Sequence, residues 1–560
     1  MSTPTAAPLI NRRASCVTAL FALLLLVACG GGEGGGGDAP DTGAATDDVG
    51  VGDVESPDSG GGGALSARVA LQFEPGEGRA ILVEVALAWE GAEAPPMNTW
   101  IDALEVTAAY GVLDELSEVS PGRYRATLLP PEEDEAGDIW TGEIPVTARV
   151  VVSGEVVAEQ RRVPLVLPFR MEGLGQPEAV PGLVNTPGME DSPEVSPDGE
   201  LIIIGSYSPV DLGYCQVQGT AVDAVGCNHN TYDPSARPDM FGAARIVDGE
   251  TIVHAIDSLG YDPSTFPTPI ATPPVASFGF RRQPDGSYAE PFVLGVDAEG
   301  YTWNQTYGYT FDPVVAGRVF FSFNEISDTP DTLNDMWQVD MVVGEVNRFG
   351  YYEEGELRGW QGVRVPIADP TSVCGEAACE YGNPNITAER LWFDNERQTD
   401  DIFFVDVTRD AQGVAVAFSP PARAAFSQAE RGETMPHWHG GFLYYMCGQS
   451  VCRSRLLEGA DPRLDASWEP EQELLSGTTR IPWQLKGGRS GRVVATSEPS
   501  VADVEVDGEV QTWLHFGYIM QVHYGAGDLD FGGNWNMGRV RIRDGWSKRG
   551  DDGRLRSPGR

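Results

Sequence analysis

The stretch MEDSPEVSPDGELIIIGSY (189–207) sets a carboxylate, Asp191, two residues before a proline and just ahead of a Ser-Pro-Asp-Gly turn. A carboxyl held at the mouth of a fold can act as a general acid or base. The same residue can open a strand, because Asp hydrogen-bonds its own backbone at turns. A chain with 83 acidic residues sets many acids near turns by chance, and strand entry is the reading these residues favour. A second group is His437-Trp438-His439-Gly440-Gly441. On a strand, His437 and His439 share one face and Trp438 takes the other. Two imidazoles so spaced can join a third ligand around a metal, and His515 or His523 is the candidate third. The competing role is hydrogen bonding at a strand end, and no metal or other cofactor is expected. A third group is YTWNQTYGYTFDP (301–313), whose Trp303, Asn304 and Tyr307 have the faces and amides that hold a sugar. Its competing role is an exposed edge strand.

Other chemistries lack their residues. There is no G-x-S-x-G elbow, P-loop, dinucleotide fingerprint or HExxH. DLDFGGNWN (528–536) lacks the twelve-position calcium pattern. Against the acids stand 38 basic residues, a formal net charge of −45, which repels phosphate backbones and argues against nucleic acid as a partner. A monomer is expected.

The N-terminus carries an address. Arg12 and Arg13 precede an apolar run, Ala19 to Ala28, too short to span a bilayer. It ends in Leu26-Val27-Ala28-Cys29-Gly30, which resembles a bacterial lipobox, with Cys29 as the acylated N-terminus of the mature protein. The expected organisation begins with a signal peptide over 1–28 and a disordered, acidic, Gly-rich tether over 29–65. Gly30, rather than an aspartate, after the cysteine favours the outer membrane of a two-membrane envelope, with the protein facing periplasm or surface. Six cysteines remain in three close pairs: Cys215 with Cys227, Cys374 with Cys379, and Cys447 with Cys452. An exported location favours three disulfides over zinc, whose thiolate knuckles are tighter.

The elements that must position these residues read as all-β. Residues 66–168 alternate apolar and polar through RAILVEVALAWEG, RYRATLLPP and IPVTARVVVSG, which predicts an immunoglobulin-like β-sandwich of short strands. From 169 to 546 a rhythm recurs: a proline, a turn, then an apolar-aromatic strand. The prolines are 193, 313, 384, 436 and 499, with strands LIIIGSY, RVFFSF, RLWFDN, FLYYMC and TWLHFGY. A second strand often follows, as in DIFFVDV (401–407) and MGRVRIR (537–543). The spacing predicts a β-propeller of five four-stranded blades. The long first interval holds either an insertion with Cys215 and Cys227 or a sixth blade. Residues 163–172 are expected to supply the outer strand of the last blade, and 547–560 to form a disordered tail.

SPEVSPDGELIIIGS resembles TolB-type propeller repeats, closely in this repeat and in rhythm elsewhere. A five-bladed ring is also similar to the propeller glycoside hydrolases of the arabinanase and β-xylosidase type. That resemblance implies a base Asp early in the first blade, an orienting Asp in the second and an acid Glu in the third. Asp191 and Asp312 match the first two; Glu380 and Glu389 are the candidates for the third. The expectation is a lipid-anchored envelope protein whose propeller binds a glycan, peptide or partner protein. The alternative is a glycoside hydrolase acting on polysaccharide.

Overall fold

The computed structural model describes residues 66–90, 104–131, 142–152, 154–182, 184–185, 189–208, 276–294, 306–324, 334–340, 363–365, 382–395, 401–427, 432–477, 491–506, 508–522 and 533–543. These residues are almost wholly β, with one 3-10 turn at Asp465–Ser467. The lipobox with Cys29, the tether and the tail lie outside them. So do Trp303, Asn304, Glu380 and His523. Two of the three expected disulfides fall there as well, the one joining Cys215 and Cys227 and the one joining Cys374 and Cys379.

The chain opens with β1 (Ser66–Pro75), β2 (Ile81–Glu90), β3 (Leu104–Ala108), β4 (Val112–Leu113), β5 (Ser117–Ser120), β6 (Arg123–Leu129), β7 (Val146–Val152) and β8 (Glu155–Arg162). They make two sheets, β1-β2-β6-β4 with β5 on β6, and β3-β7-β8. Alternation decides which face is buried. Tyr124, Ala126 and Leu128 of β6 are buried while Arg123, Arg125 and Leu129 are exposed. The inward residues of both sheets, among them Leu71, Val83, Val85, Leu128, Val146 and Val150, form one core. Each such side chain contributes about 1.5–3 kcal/mol on burial.

Two short strands follow, β9 (Phe169–Arg170) and β10 (Glu178–Ala179). The rest builds five antiparallel sheets among the described residues. The first is β11 (Met189–Val195), β12 (Leu201–Ser208), β13 (Ala276–Arg282) and β14 (Tyr288–Leu294); the second is β15 (Thr306–Phe311), β16 (Arg318–Asn324), β17 (Asn334–Asp340) and β18 (Val363–Arg364). The third is β19 (Gly382–Ile386), β20 (Arg390–Asp394), β21 (Ile402–Arg409) and β22 (Ala415–Phe418), with β23 (Ala422–Arg423) on β21. The fourth is β24 (Glu433–His439), β25 (Phe442–Cys447), β26 (Ser450–Arg455) and β27 (Gln472–Ser476); the fifth is β28 (Gly491–Val506), β29 (Glu509–Val522) and β30 (Gly533–Ile542). The apolar strands found in the sequence are the second member of each sheet, and the Pro-Asp-Gly turn joins β13 to β14 as expected.

The first strands touch in cyclic order: β11 on β15, β15 on β19, β19 on β24, β24 on β28, and β28 back on β11. Each is the free edge of its own sheet. That explains the prolines at 193, 384, 436 and 499, which lie inside these strands, because an edge strand tolerates a residue with no N–H to give. The second repeat departs from expectation. Pro313 follows β15 rather than sitting within it, and the residue equivalent to the four prolines is Tyr309.

The outer strand of the fifth sheet is also displaced from its predicted place. Residues 178–179 pair with β30, while 169–170 join β27 of the fourth sheet. The segment that leaves the N-terminal sheets is thus stitched to the last two sheets of the chain.

Five residues with positive φ occupy one position in the five first strands: Ser192 (57°), Gly308 (59°), Asn383 (45°), Met435 (58°) and Glu498 (48°). Four of these strands shift register there by one residue, as at a bulge. Gly308 is the one residue of the five with no side chain, and space requires it: a Cβ would lie 2.8 Å from Asn383 Cα. Gly308→Ala is expected to cost about 2 kcal/mol from backbone strain and this clash. Urea unfolding of the variant against wild type measures it, and an unchanged midpoint would contradict the packing described.

Candidate functional site

Two residues after each positive-φ position stands one polar side chain: Glu194, Thr310, Asn385, His437 and Ser500, all buried. Most reach the backbone of the next strand in the cycle. Glu194 accepts from Phe311 N (3.4 Å), Thr310 Oγ1 from Ile386 N (3.4 Å), Asn385 Oδ1 from Trp438 N (2.8 Å) and Ser500 Oγ from Val195 N (2.9 Å). His437 completes the set through Val501, with Nε2 3.1 Å from its carbonyl oxygen. A carbonyl only accepts, so Nε2 carries the proton. Nδ1 then faces the Asn385 amide nitrogen at 3.1 Å and Glu194 Oε2 at 3.4 Å. Ser500 Oγ donates to Glu194 Oε2 at 2.9 Å, and Asn385 Nδ2 reaches Thr310 Oγ1 at 3.3 Å. The five side chains form a nearly continuous polar girdle where the five first strands meet. Few of their atoms are left without a partner, as burial demands.

Beside this girdle lies a small cavity lined by residues of all five first strands, among them Ser192, Glu194, Asn383, Met435, His437 and Glu498. It offers about 30 Å³ to water-sized spheres, room for one or two waters and not for a sugar ring. On the seam where β28 meets β11, Glu498 grips the neighbouring strand. Its Oε2 accepts from Ser192 N at 2.7 Å, and its Oε1 from Ser192 Oγ at 3.3 Å. The Asp191 carboxyl is hydrogen-bonded to Glu498 and to the Ser192 backbone; burial raises its pKa above the usual carboxylate range, against the lowering effect of those bonds. Two carboxyls in a hydrogen bond share one proton, since both cannot ionise side by side. Among the described residues, Asp191 Oδ1 is buried with no hydrogen-bond partner.

The other sequence candidates separate from Asp191. Asp312 closes the far end of β15, where its Oδ1 accepts from Val314 N (2.9 Å) and its Oδ2 pairs with Arg409 (2.9 Å). It stands five residues beyond Tyr307, the equivalent of Asp191, or about 17 Å along a strand. Its turn chemistry and buried ion pair account for it without catalysis. Glu389 is exposed in the turn between β19 and β20, again at the far end. The described members of the predicted carboxylate set therefore do not converge. Glu498, which does meet Asp191, was missed; its signal was the Glu-Pro at the fifth strand, matching Ser-Pro at the first.

The histidines also part company. His437 is in the girdle, whereas His439 Nε2 meets Asp503 Oδ1 at 3.4 Å near the surface. That bond and others hold the Asp503 carboxyl below its usual range. His515 is buried on β29, both ring nitrogens without a partner among the described residues. Among the described residues no three His, Cys, Asp or Glu side chains are grouped to hold a metal. Trp438 stacks on Trp392, centroids 5.8 Å apart, and so packs the third sheet on the fourth. Tyr307 lies on β15 at the position equivalent to Asp191.

Of the cysteine pairs, Cys447 and Cys452 form the disulfide that their spacing suggested, and it links β25 to β26. It is the one disulfide among the described residues. The pairing of Cys215 to Cys227 and the pairing of Cys374 to Cys379 concern residues outside that set.

No protein-family model and no curated protein sequence matches this chain. Solved structures give weak likenesses to glycosidases. An α-L-arabinofuranosidase from Lactobacillus brevis is 13% identical, with a TM-score of 0.31, over 50% of this chain and 88% of that one. A xylan β-1,4-xylosidase from Bacillus halodurans C-125 is 10% identical, with a TM-score of 0.31, over 66% of this chain and 55% of that one. A Trypanosoma rangeli sialidase is 8% identical, with a TM-score of 0.28, over 67% and 57%. This chain thus spans little more than half the length of the last two. The likeness is one of loose all-β shape.

Proposed function

We propose that this chain is a cell-envelope protein, anchored through acyl groups on Cys29, that binds a glycan at the hub of a five-bladed β-propeller carried on an immunoglobulin-like sandwich. The domain limits are those expected from the sequence, with the propeller over 169–546. The protein works as a monomer at the outer membrane, and nucleic acid is not its ligand. The observation that carries this reading is the Asp191–Glu498 pair beside an axial cavity. Hydrogen-bonded carboxyls stand within about 3 Å of each other. A retaining glycosidase needs its two carboxyls about 5–5.5 Å apart, and an inverting one about 6.5–9.5 Å. The pair therefore leaves no room for a glycosidic bond between its members, yet it presents one donor and several acceptors to a sugar. A chain of sugars would lie across the mouth, with one substituent entering the cavity. Trp303, Asn304 and Tyr307, the residues whose types suit a sugar, are the ones assigned to contact that chain.

The test is to present the full-length chain with a panel of oligosaccharides and polysaccharides, following both binding and release of reducing ends. Saturable binding without release is expected. Asp191→Asn should weaken it about ten-fold, the worth of one hydrogen bond to a charged group. Sugar release that Asp191→Asn abolishes would overturn binding in favour of hydrolysis.

A further inference from the structure

The cavity's chemistry is one-sided. Its acidic lining is Glu194 and Glu498, with His437 and Tyr309 as the other ionisable groups, and among the described residues neither lysine nor arginine borders it. Among the described residues, buried arginines of the five sheets are engaged elsewhere: Arg409 with Asp312, Arg539 with Glu178, and Arg453 with Gln472 and the Phe442 ring. His437 donates from Nε2 to the Val501 carbonyl. Beside the lining, Asp191 Oδ1 is buried without a donor among the described residues. Acceptors therefore exceed donors at this spot, and the shared proton of Asp191 and Glu498 is one that an incoming cation can displace. A space of about 30 Å³ admits a head the size of a water molecule, which an ammonium group is. It does not admit a guanidinium or a ring.

We propose that the glycan carries free amino groups, and that one protonated amine of an amino sugar seats in the hub cavity against Glu498 and Glu194. This rests on the binding reading given above and narrows its ligand class. The ammonium brings three donors and no acceptor to a site with the opposite imbalance. As it enters, the Asp191–Glu498 pair gives its shared proton to solvent, so one positive charge replaces another and no buried net charge is added. An acetylated amine is neutral, too bulky for the space, and offers one donor in place of three. A carboxylated glycan would meet two acidic side chains with no arginine to receive it.

Calorimetry of the full-length chain can decide this with a hexamer of β-1,4-linked glucosamine and its fully N-acetylated counterpart. Each is titrated at pH 6.5 in two buffers of different ionisation enthalpy. The free amine should bind at least about ten-fold more tightly, release a proton into the buffer, and weaken with added salt. Glu498→Gln should bring the two hexamers to equal affinity by weakening only the free amine. Equal or tighter binding of the acetylated hexamer, or no proton release, refutes the amine assignment and leaves glycan binding standing. Failure of every glycan to bind removes the binding reading itself. Hexalysine binding as tightly as the glucosamine hexamer would refute a glycan ligand for the socket. If Glu498→Gln does not fold, the wild-type affinity ratio and proton count still decide.

Discussion

Glu178→Ala is expected to lower the unfolding free energy by about 3–5 kcal/mol, the usual cost of removing one partner from a buried ion pair. Glu178 is buried on β10 between two arginines. Arg162 of β8 approaches through Nη2 and through Nε at 3.1 Å, and Arg539 of β30 through Nε at 2.9 Å. Arg162 also donates to Leu71 O, and Arg539 to Gly286 O. One carboxylate thus ties together the N-terminal two-sheet unit, the fifth sheet and the turn of the first. Burial alone would raise the Glu178 pKa, but the two guanidinium groups outweigh it and hold the carboxyl below its usual range. A depressed carboxylate stabilises the fold above its unfolded pKa of about 4.3, and this is lost as pH falls through the lowered value. Removing the side chain leaves two buried cations with no counter-charge. Glu178→Gln keeps the volume but not the charge and should recover only a minor part. Urea unfolding at pH 7 measures both variants; a Glu178→Ala protein within about 1 kcal/mol of wild type would show that solvent reaches these arginines.

What the sequence disclosed, and what it hid, follows from how local each signal is. Strands such as LIIIGSY and FLYYMC are legible because each carries its own apolar pattern, and a buried strand needs little else. The edge position of the first strands is legible in the four prolines for the same reason. The Cys447–Cys452 bridge was legible too, since it closes a hairpin between neighbours in the chain. The second repeat misled because Tyr309 stands where the others have proline, and a nearby Pro313 satisfied the pattern. That error carried Asp312 into the candidate site, although its sequence, Asp-Pro just after a strand, is ordinary turn chemistry. The Asp191–Glu498 pair was illegible for a different reason. Its members lie one position further apart in the chain than the Ser192–Glu498 contact, which spans 306 positions, and only closure of the cycle brings them together. The polar girdle was hidden likewise: Glu194, Thr310, Asn385, His437 and Ser500 share no residue type, only a position two places past a residue with positive φ. Placing residues 178–179 as the outermost strand of the fifth sheet depended on a two-residue pairing, too short to leave a pattern.

His515 should make the fold sensitive to acid at pH values where most carboxylates are still ionised. Its ring is buried on β29, edge-on to Tyr288 with centroids 6.3 Å apart, and neither nitrogen has a partner among the described residues. Burial lowers its pKa to about 3, helped by the positive field of Arg539 and by His437. The folded protein therefore holds the imidazole neutral while the unfolded chain protonates it near pH 6.5. Below that pH the unfolded state binds the extra proton, so stability falls with pH and continues to fall until about pH 3, where the folded ring protonates as well. At pH 4 the loss from this one residue is about 3 kcal/mol relative to pH 7. Other groups titrate over the same range, and subtraction removes them. The difference in unfolding free energy between His515→Leu and wild type should shift by that amount in the variant's favour between pH 7 and pH 4, whatever the packing change does at neutral pH. His515→Met offers a second shape in the same space, and its difference from wild type should shift in parallel. A difference that stays flat with pH for both variants would mean that the imidazole takes up its proton inside the fold, with Arg539 and His437 yielding to admit water.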